Sequence, residues 1–214
     1  MKHTALMPTF RLERGILKTQ PAAIIAGIDE AGRGPWAGPV LAGAVILDQV
    51  MLAPDLASGL DDSKKLSPEK REALFLELQS SPGAVLGVGQ ASVDEIDNLN
   101  ILKATYLAMA RALENLQRRV DVALVDGNRA PPLSCPVQTV VRGDSLSLSI
   151  AAASIVAKVT RDRIMTGLAA QHPGYGWETN MGYGTAEHSA ALKHLGLTPH
   201  HRRSFAPIRA LLSA

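Results

Sequence analysis

The chain has 214 residues, 46% hydrophobic and 20% charged, the balance of a folded domain rather than a disordered segment, and long enough to bury a core without disulfides. Basic and acidic residues, 22 against 20, leave a formal charge of +2. That figure excludes a histone-like polycation but not a nucleic-acid partner, because local field outweighs net charge in recognition.

In chain order, residues 1–20 read as a loosely structured leader, with proline and charges interrupting the apolar stretch that a signal peptide would need. Ala22 opens AAIIAGID, a short apolar run that predicts a buried strand ending in a Gly/Arg/Pro loop. GPVLAGAVIL (38–47) predicts an adjacent antiparallel strand whose glycines suggest close backbone approach. Ser67 as cap and Pro68 in the first turn start a helix with Leu74, Phe75 and Leu78 on its apolar face. AVLGVGQASV predicts a third strand. ILKATYLAMARALENLQ carries Leu102, Tyr106, Leu113 and Leu116 at helical spacing. VDVALVDG and PVQTVVRGD complete five strands, and SLSIAAASIVAKVTRDRIMTGLAAQ predicts a long helix whose small residues let it lie close to a sheet. After Pro173 come two Gly-Tyr-Gly steps, a short helix near Ala186–His194, the basic segment HHRRSF and a last helical stretch. The expected architecture is an α/β domain with a mixed sheet over 1–168 and a C-terminal helical extension over 169–214.

The chemistry gathers at strand ends, where α/β folds place reactive groups. Asp29 and Glu30 close the first strand, Asp126 closes another, and Asp144 precedes the long helix. No basic residue stands beside these acids in an obvious local pairing. Adjacent carboxylates repel unless a cation lies between them, and four oxygen donors converging suit Mg²⁺ or Mn²⁺. Two such ions would support phosphoryl transfer. A plainer alternative makes Asp126 a turn former and Asp144 a helix cap. Gly32-Arg33-Gly34 offers close backbone amides and a planar donor set for a phosphate or a ribose hydroxyl; alternatively it is a tight turn with a solvated arginine.

Six blocks together resemble the bacterial ribonuclease HII family, the type 2 ribonucleases H. They are DEAGRGP at 29–35, DDSKKLSPEKRE at 61–72, NILKAT at 100–105, VDGN at 125–128, GDSLSLSIAAASIVAKVTRDR at 143–163, and GYGTAEH with HHRRSF in the tail. They span about Ala22 to Pro207 in the family's order. The resemblance implies a ribonuclease H-like mixed sheet flanked by helices. It also implies an endonuclease that cuts RNA in RNA·DNA hybrids, single ribonucleotides in duplex DNA included, using two Mg²⁺ or Mn²⁺ ions. Carried over residue by residue, it makes Asp29, Glu30, Asp126 and Asp144 the catalytic and metal-holding acids. Gly32, Arg33 and Gly34 become the reader of the ribose 2′-hydroxyl, and Tyr183 the ring packed against the sugar, with Tyr175 the less fitting match. Ser63, Lys64 and Lys65 become phosphate contacts. Leu146 stands where many relatives carry lysine, which puts one phosphate contact in doubt. Only the 2′-hydroxyl distinguishes RNA from DNA at one position, so selectivity needs polar groups close to that sugar.

The remaining features divide. Lys158, Arg161 and Arg163 read mostly as a solvated helix face. The tail from His188 onward holds Lys193, Arg202, Arg203 and Arg209 and no acid, which suggests a grip on the duplex backbone, though HHRRSF is equally a structural lock. Trp36 and Trp177 read as packing residues, consistent with an aromatic share of 4%. Lone Cys135 fits a reducing cytosol, and no apolar run approaches the ~20 residues of a membrane span, so a cytoplasmic monomer acting on nucleic acid is expected. The competing readings are a broader hybrid-specific ribonuclease that needs several consecutive ribonucleotides, a non-catalytic hybrid-binding module, which has no need of four acids, and an unrelated metal-dependent phosphatase or exonuclease, which has no need of Gly-Arg-Gly with Tyr183.

Overall fold

Five strands and nine α-helices, joined by one 3₁₀ turn, make up the fold seen in a computed structural model that describes residues 7–212. The sheet order is β3-β2-β1-β4-β5. β1 (Ile25–Ala31), β2 (Val40–Leu47) and β3 (Ala84–Ala91) form an antiparallel meander, whereas β4 (Val122–Asp126) and β5 (Val137–Val140) continue parallel to β1. The antiparallel pairing expected for the first two strands is therefore present, with Asp29 opposite Gly43. Helix α1 is Arg11–Leu17; α2 (Pro54–Gly59) and α3 (Pro68–Ser80) lie between β2 and β3. α4 (Val93–Leu99) and α5 (Ile101–Glu114) lie between β3 and β4. The 3₁₀ turn Gly143–Ser145 leads into α6 (Leu148–Gln171), followed by α7 (Trp177–Asn180), α8 (Ala186–Leu195) and α9 (Ala206–Leu212).

Two apolar layers sandwich the sheet. α5 packs Ala104, Ala108, Ala112 and Leu113 against Ala26, Ile28, Ala42 and Ala44 on one face. α6 packs Ala151, Ala152, Ala153, Ile155 and Val156 against the other, together with Leu74 and Leu78 of α3. The alanine run in α6 does bring helix and sheet together, and Gly27 completes the approach. A Cβ at Gly27 would lie 2.1 Å from the backbone carbon of Ser149, far inside any tolerable contact. α6 is buried over most of its first half, which is why its hydrophobic residues show no single stripe.

The start of α3 follows its local code: Ser67 Oγ accepts from Lys70 N, and Pro68 occupies the first turn. The leader expectation needs correction. Residues 1–6 lie outside the described residues, but from Thr9 the chain is integral to the fold. Thr9 bridges Ser147, and α1 carries a buried Glu13 whose Oε1 accepts from Ser147 Oγ at 2.6 Å and Ser149 N at 3.1 Å. A carboxylate accepting from a backbone N–H that has no partner within the helix, at the helix start, is favourable by charge and by hydrogen bonding. No local pattern in residues 7–20 announces that distant partner.

Among the described residues, no helix is long and apolar enough to cross a membrane.

Candidate active site

Parallel pairing of β1 with β4 sets Ile28 against Val125, so Asp29 and Asp126 leave the sheet side by side at the same end. Asp126 Oδ1 accepts from Gly143 N at 2.7 Å, which ties the turn carrying Asp144 to the end of β4. The cap of α6 is Ser147, whose side chain accepts from Ile150 N. Asp144 is thus neither cap nor solvent-facing turn residue; it is buried in the 3₁₀ turn beside the other acids.

Their electrostatics follow from crowding. Burial, then the charges of Glu30, Asp126 and Asp144, hold the Asp29 carboxyl well above the usual carboxylate range. Glu30 is raised mainly by burial, although its bond to Arg33 opposes the rise. Asp144 is pushed up to about 6, first by burial and then by Asp62 and Asp126. Acids that resist ionising together are acids whose charge a hard cation would relieve. No group of three or more His, Cys, Asp or Glu side chains among the described residues is arranged to hold an ion. The fit to divalent cations rests on the all-oxygen donor set and on its mutual repulsion.

Two cations adjoin this cluster, contrary to the expectation that none stands close. Arg33 Nη1 lies 3.1 Å from Glu30 Oε1. Lys64 is lowered by its own burial, but Asp29, Asp62, Asp144 and Asp126 outweigh that and raise it. Asp62 is an acid that the strand-end pattern missed. It sits in the loop before α3, where its Oδ1 accepts from Lys64 N at 3.0 Å, and DDSKK was the signal available.

A cleft of about 300 Å³ joins these groups: Asp29, Glu30, Gly32, Arg33, Gly34, Ser63, Lys64 and Tyr183 all line it, with Lys158 and Arg161. Lys65 stands outside, its Nζ bound to Asp61 at 2.9 Å and Ser145 Oγ at 3.3 Å. Leu146 packs with Ile25, Leu124, Val140 and Ile150, so its position serves the core. A larger hollow, about 740 Å³, surrounds Arg118, Arg119 and Cys135 and holds none of the four expected acids.

The two tyrosine matches separate cleanly. Tyr183 is 48% exposed in the cleft, whereas Tyr175 is 5% exposed, stacked on Trp177 and donating its hydroxyl to Gly196 O. Trp177 itself is fully buried, as a packing residue should be.

Two buried arginines hold the Gly-Arg-Gly loop. Arg202 donates to Gly32 O, Arg33 O, Gly38 O and Pro39 O. Arg161 donates to Ala37 O, Pro39 O and Met181 O. Burial lowers them to about 9 and about 10, still above neutrality, so both stay charged at pH 7. Arg161 therefore corrects the expectation of a solvated helix face, while Arg163 keeps it through an exposed pair with Glu72. Within HHRRSF the structural alternative holds for the buried His201 and Arg202; Arg203 remains exposed. Gly32 has φ +93°, and a Cβ there would press 2.0 Å from Arg161 Nε, so only glycine fits beneath that guanidinium. Gly182 O accepts from Trp36 N and Ala37 N, and Gly38 N donates to His200 O. The loop is laced on both sides by the C-terminal segment that carries Tyr183.

This sheet, with acids at the ends of its central strands and a helical C-terminal segment closing over one loop, is the ribonuclease H fold. The ribonuclease H2 of Pyrococcus horikoshii superposes with a TM-score of 0.73 at 28% identity, covering 88% of this chain and 97% of that one. A Bst ribonuclease HIII solved in complex with Mn²⁺ shares the fold at a TM-score of 0.71 and 19% identity, covering 90% of this chain and 70% of that one.

The family model for ribonuclease HII matches residues 26–208, and the chain belongs to that family. Ribonuclease HII of Rhodospirillum rubrum is 60% identical over 207 residues, covering 97% of this chain and 93% of the relative. That of Paramagnetospirillum magneticum is 60% identical over 202 residues, covering 94% and 97%. The chain is an endoribonuclease of the ribonuclease H type, acting on RNA within RNA·DNA hybrids.

Proposed function

We propose that the enzyme nicks duplexes at ribonucleotides, down to a single one embedded in DNA, and leaves 5′-phosphate and 3′-hydroxyl ends. The observation that carries this reading is one cleft lined jointly by Asp29 and Glu30, by the Gly32–Gly34 loop and by Tyr183. Asp29, Glu30, Asp126 and Asp144 are the residues that would hold two Mg²⁺ or Mn²⁺ ions. When bound, such ions supply the charge that activates a water and balances the attacking and leaving oxygens.

The protein's own groups do the rest. The backbone of Gly32 and Gly34, with the Arg33 guanidinium, hydrogen-bonds the 2′-hydroxyl at the RNA–DNA junction. A deoxyribose leaves those groups unpaired, and a site built around a hydroxyl rejects the analogue lacking it strongly. The Tyr183 ring packs against the neighbouring sugar, which is how the extension 169–214 contributes to substrate binding beside the catalytic domain 1–168. Ser63 and Lys64 hold the phosphate, and Lys65 adds to the basic rim. Arg161 and Arg202 act on substrate only through the loop they hold. The 2′-hydroxyl is read and does not attack. The reading extends to a cytoplasmic monomer that removes ribonucleotides and RNA primers during repair and replication.

The test uses a DNA duplex containing one ribonucleotide, an all-DNA duplex and a long RNA·DNA hybrid, each with Mg²⁺ or Mn²⁺. A nick 5′ to the single ribonucleotide and an intact all-DNA control are expected. Cutting confined to the long hybrid would restrict the enzyme to runs of ribonucleotides and overturn the proposal.

A further inference from the structure

We infer that His188 and His201 form a buried relay of hydrogen bonds that positions Tyr183 and so sets selectivity at the RNA–DNA junction. The inference rests on the proposed role of Tyr183.

Both imidazoles are buried, 0% and 1% exposed, and their Nε2 atoms lie 3.1 Å apart. Two ring nitrogens bond only when one donates and the other accepts. The neighbours decide which. Thr198 N donates to His201 Nδ1 at 2.9 Å, so His201 carries its proton on Nε2 and donates to His188. His188 Nε2 accepts that bond and a second one from Trp177 Nε1 at 3.1 Å. Its proton therefore sits on Nδ1, 2.9 Å from Tyr183 O. The relay runs in one direction, from Thr198 through both histidines to the tyrosine carbonyl.

The end point of this chain is the downstream anchor of the turn that presents Tyr183. Among the described residues Tyr183 O accepts otherwise only from Thr185 N at 2.9 Å, and the two preceding residues, Met181 and Gly182, both have positive φ, 50° and 81°. Bonds at Met181 O, Gly182 O and Tyr183 N hold the upstream side of the turn, and the Tyr183 carbonyl fixes its downstream side, from which a half-exposed ring projects into the cleft. Trp36, two residues after Gly34, lies against the His188 ring with centroids 5.7 Å apart, so the relay also adjoins the segment that follows the Gly-Arg-Gly loop.

The relay needs both rings neutral, since a proton on either would set donor against donor. Burial keeps them so: it lowers His188, and with His188, His200 and His172 nearby it lowers His201 to about 4. The charged and titratable groups facing the pair are His172 at the end of α6, His200 from the loop before α9, and Glu187 on α8; the Tyr175 ring packs against both.

Two isosteres separate positioning from simple core stability. In H188N the side-chain amide takes the place of Nδ1 and still donates to Tyr183 O. In H188Q the amide takes the place of Nε2, keeps His201 and Trp177, and abandons the tyrosine carbonyl. We expect H188Q to lower kcat/KM on the single-ribonucleotide duplex about tenfold relative to the long hybrid, the scale of a small misplacement. H188N should leave that ratio unchanged, whatever either variant does to Tm. Added to Y183A, H188Q should bring no further loss in the ratio. Equal shifts in H188N and H188Q, or additive losses in the double variant, would overturn the relay. A loss in Y183A with none in H188Q would also overturn it while keeping Tyr183 as sugar contact. A loss in H188Q with none in Y183A would overturn both the sugar contact and the claim that the relay acts through Tyr183. Nitrogen-15 spectra of the unmodified enzyme's histidines supply a check that needs no variant to fold. His188 protonated on Nδ1 and His201 on Nε2 is expected, and the reverse assignment would overturn the proposal.

Discussion

The two ends of the cleft treat charge in opposite ways. At the strand ends, Asp29, Glu30 and Asp144 crowd together and their carboxyls are driven upward. Across the cleft, Arg161 and Arg202 are at least as buried, yet seven hydrogen bonds to backbone carbonyls satisfy them. One wall is left electrostatically incomplete and the other is finished. A buried charge that is fully hydrogen-bonded serves architecture, whereas one left in conflict with its neighbours marks where a ligand must complete the balance.

The largest effect that would break this contrast is chemical. Asp126→Asn should reduce cutting by roughly 10³-fold or more while duplex binding, measured by fluorescence anisotropy, stays near its parent value. Equal loss of binding would make Asp126 a structural residue of the Gly143 turn. Asp29→Asn should add a second signature: without divalent ions it should raise Tm by a few degrees, because it removes repulsion, at the scale of about 1 kcal/mol for a chain of this size.

On the finished wall the sign reverses. Arg202→Ala strands the carbonyls of Gly32, Arg33 and Gly38, Pro39 O keeping its bond from Arg161, and should cost about 3–5 kcal/mol, read as a large fall in Tm by calorimetry. A neutral result there would mean the loop is held from one side only. Smaller still, Tyr183→Ala should lower cutting at a single ribonucleotide about tenfold more than cutting of long hybrids, and equal losses would contradict its place beside the junction sugar.

The smallest effect compares both walls in one titration. Asp144, at about 6 against an ordinary 3.8, lets the folded chain hold a proton that the unfolded chain releases, so the ion-free protein gains stability as pH falls from 6 toward 4. His201, at about 4 against 6.5, does the opposite. There the unfolded chain binds the proton, and stability is lost as pH falls through 6.5 toward 4. Saturating Mg²⁺ silences the first contribution and leaves the second. Tm should therefore drop more steeply between pH 7 and pH 5 with Mg²⁺ than without it, by a few degrees. Identical slopes would mean that the acids carry no such conflict.

Much of the fold was legible because its causes are local. Five apolar runs became five strands, Ser67 and Pro68 started α3 where a cap and a first-turn proline should, and the alanines of α6 met the sheet. Asp29, Glu30 and Asp126 were legible as acids closing strands and Asp144 as an acid before the long helix, and the resemblance to ribonuclease HII, carried by six blocks, reached the family. Asp62 escaped because it sits in a loop, where acids are common and periodicity is silent; its approach to Asp144 and Lys64 shows what the DDSKK run alone left unread.

By itself the sequence determined the five strands, the helices α3, α5, α6 and α8 and the positions of the acids, since alternation, capping and composition act over a few positions. Tertiary structure alone decided which charges would be buried. Arg161 reaches Pro39 from 122 residues away and Arg202 reaches Gly32 from 170. Nothing near either arginine distinguishes it from exposed Arg163 or Arg203, because a buried charge is tolerated only where distant carbonyls converge on it. The same holds for Glu13 in a segment expected to be loose, and for Tyr183 against Tyr175. Identical Gly-Tyr-Gly steps became a buried prop and a ring in the cleft, according to what the rest of the chain packs over them.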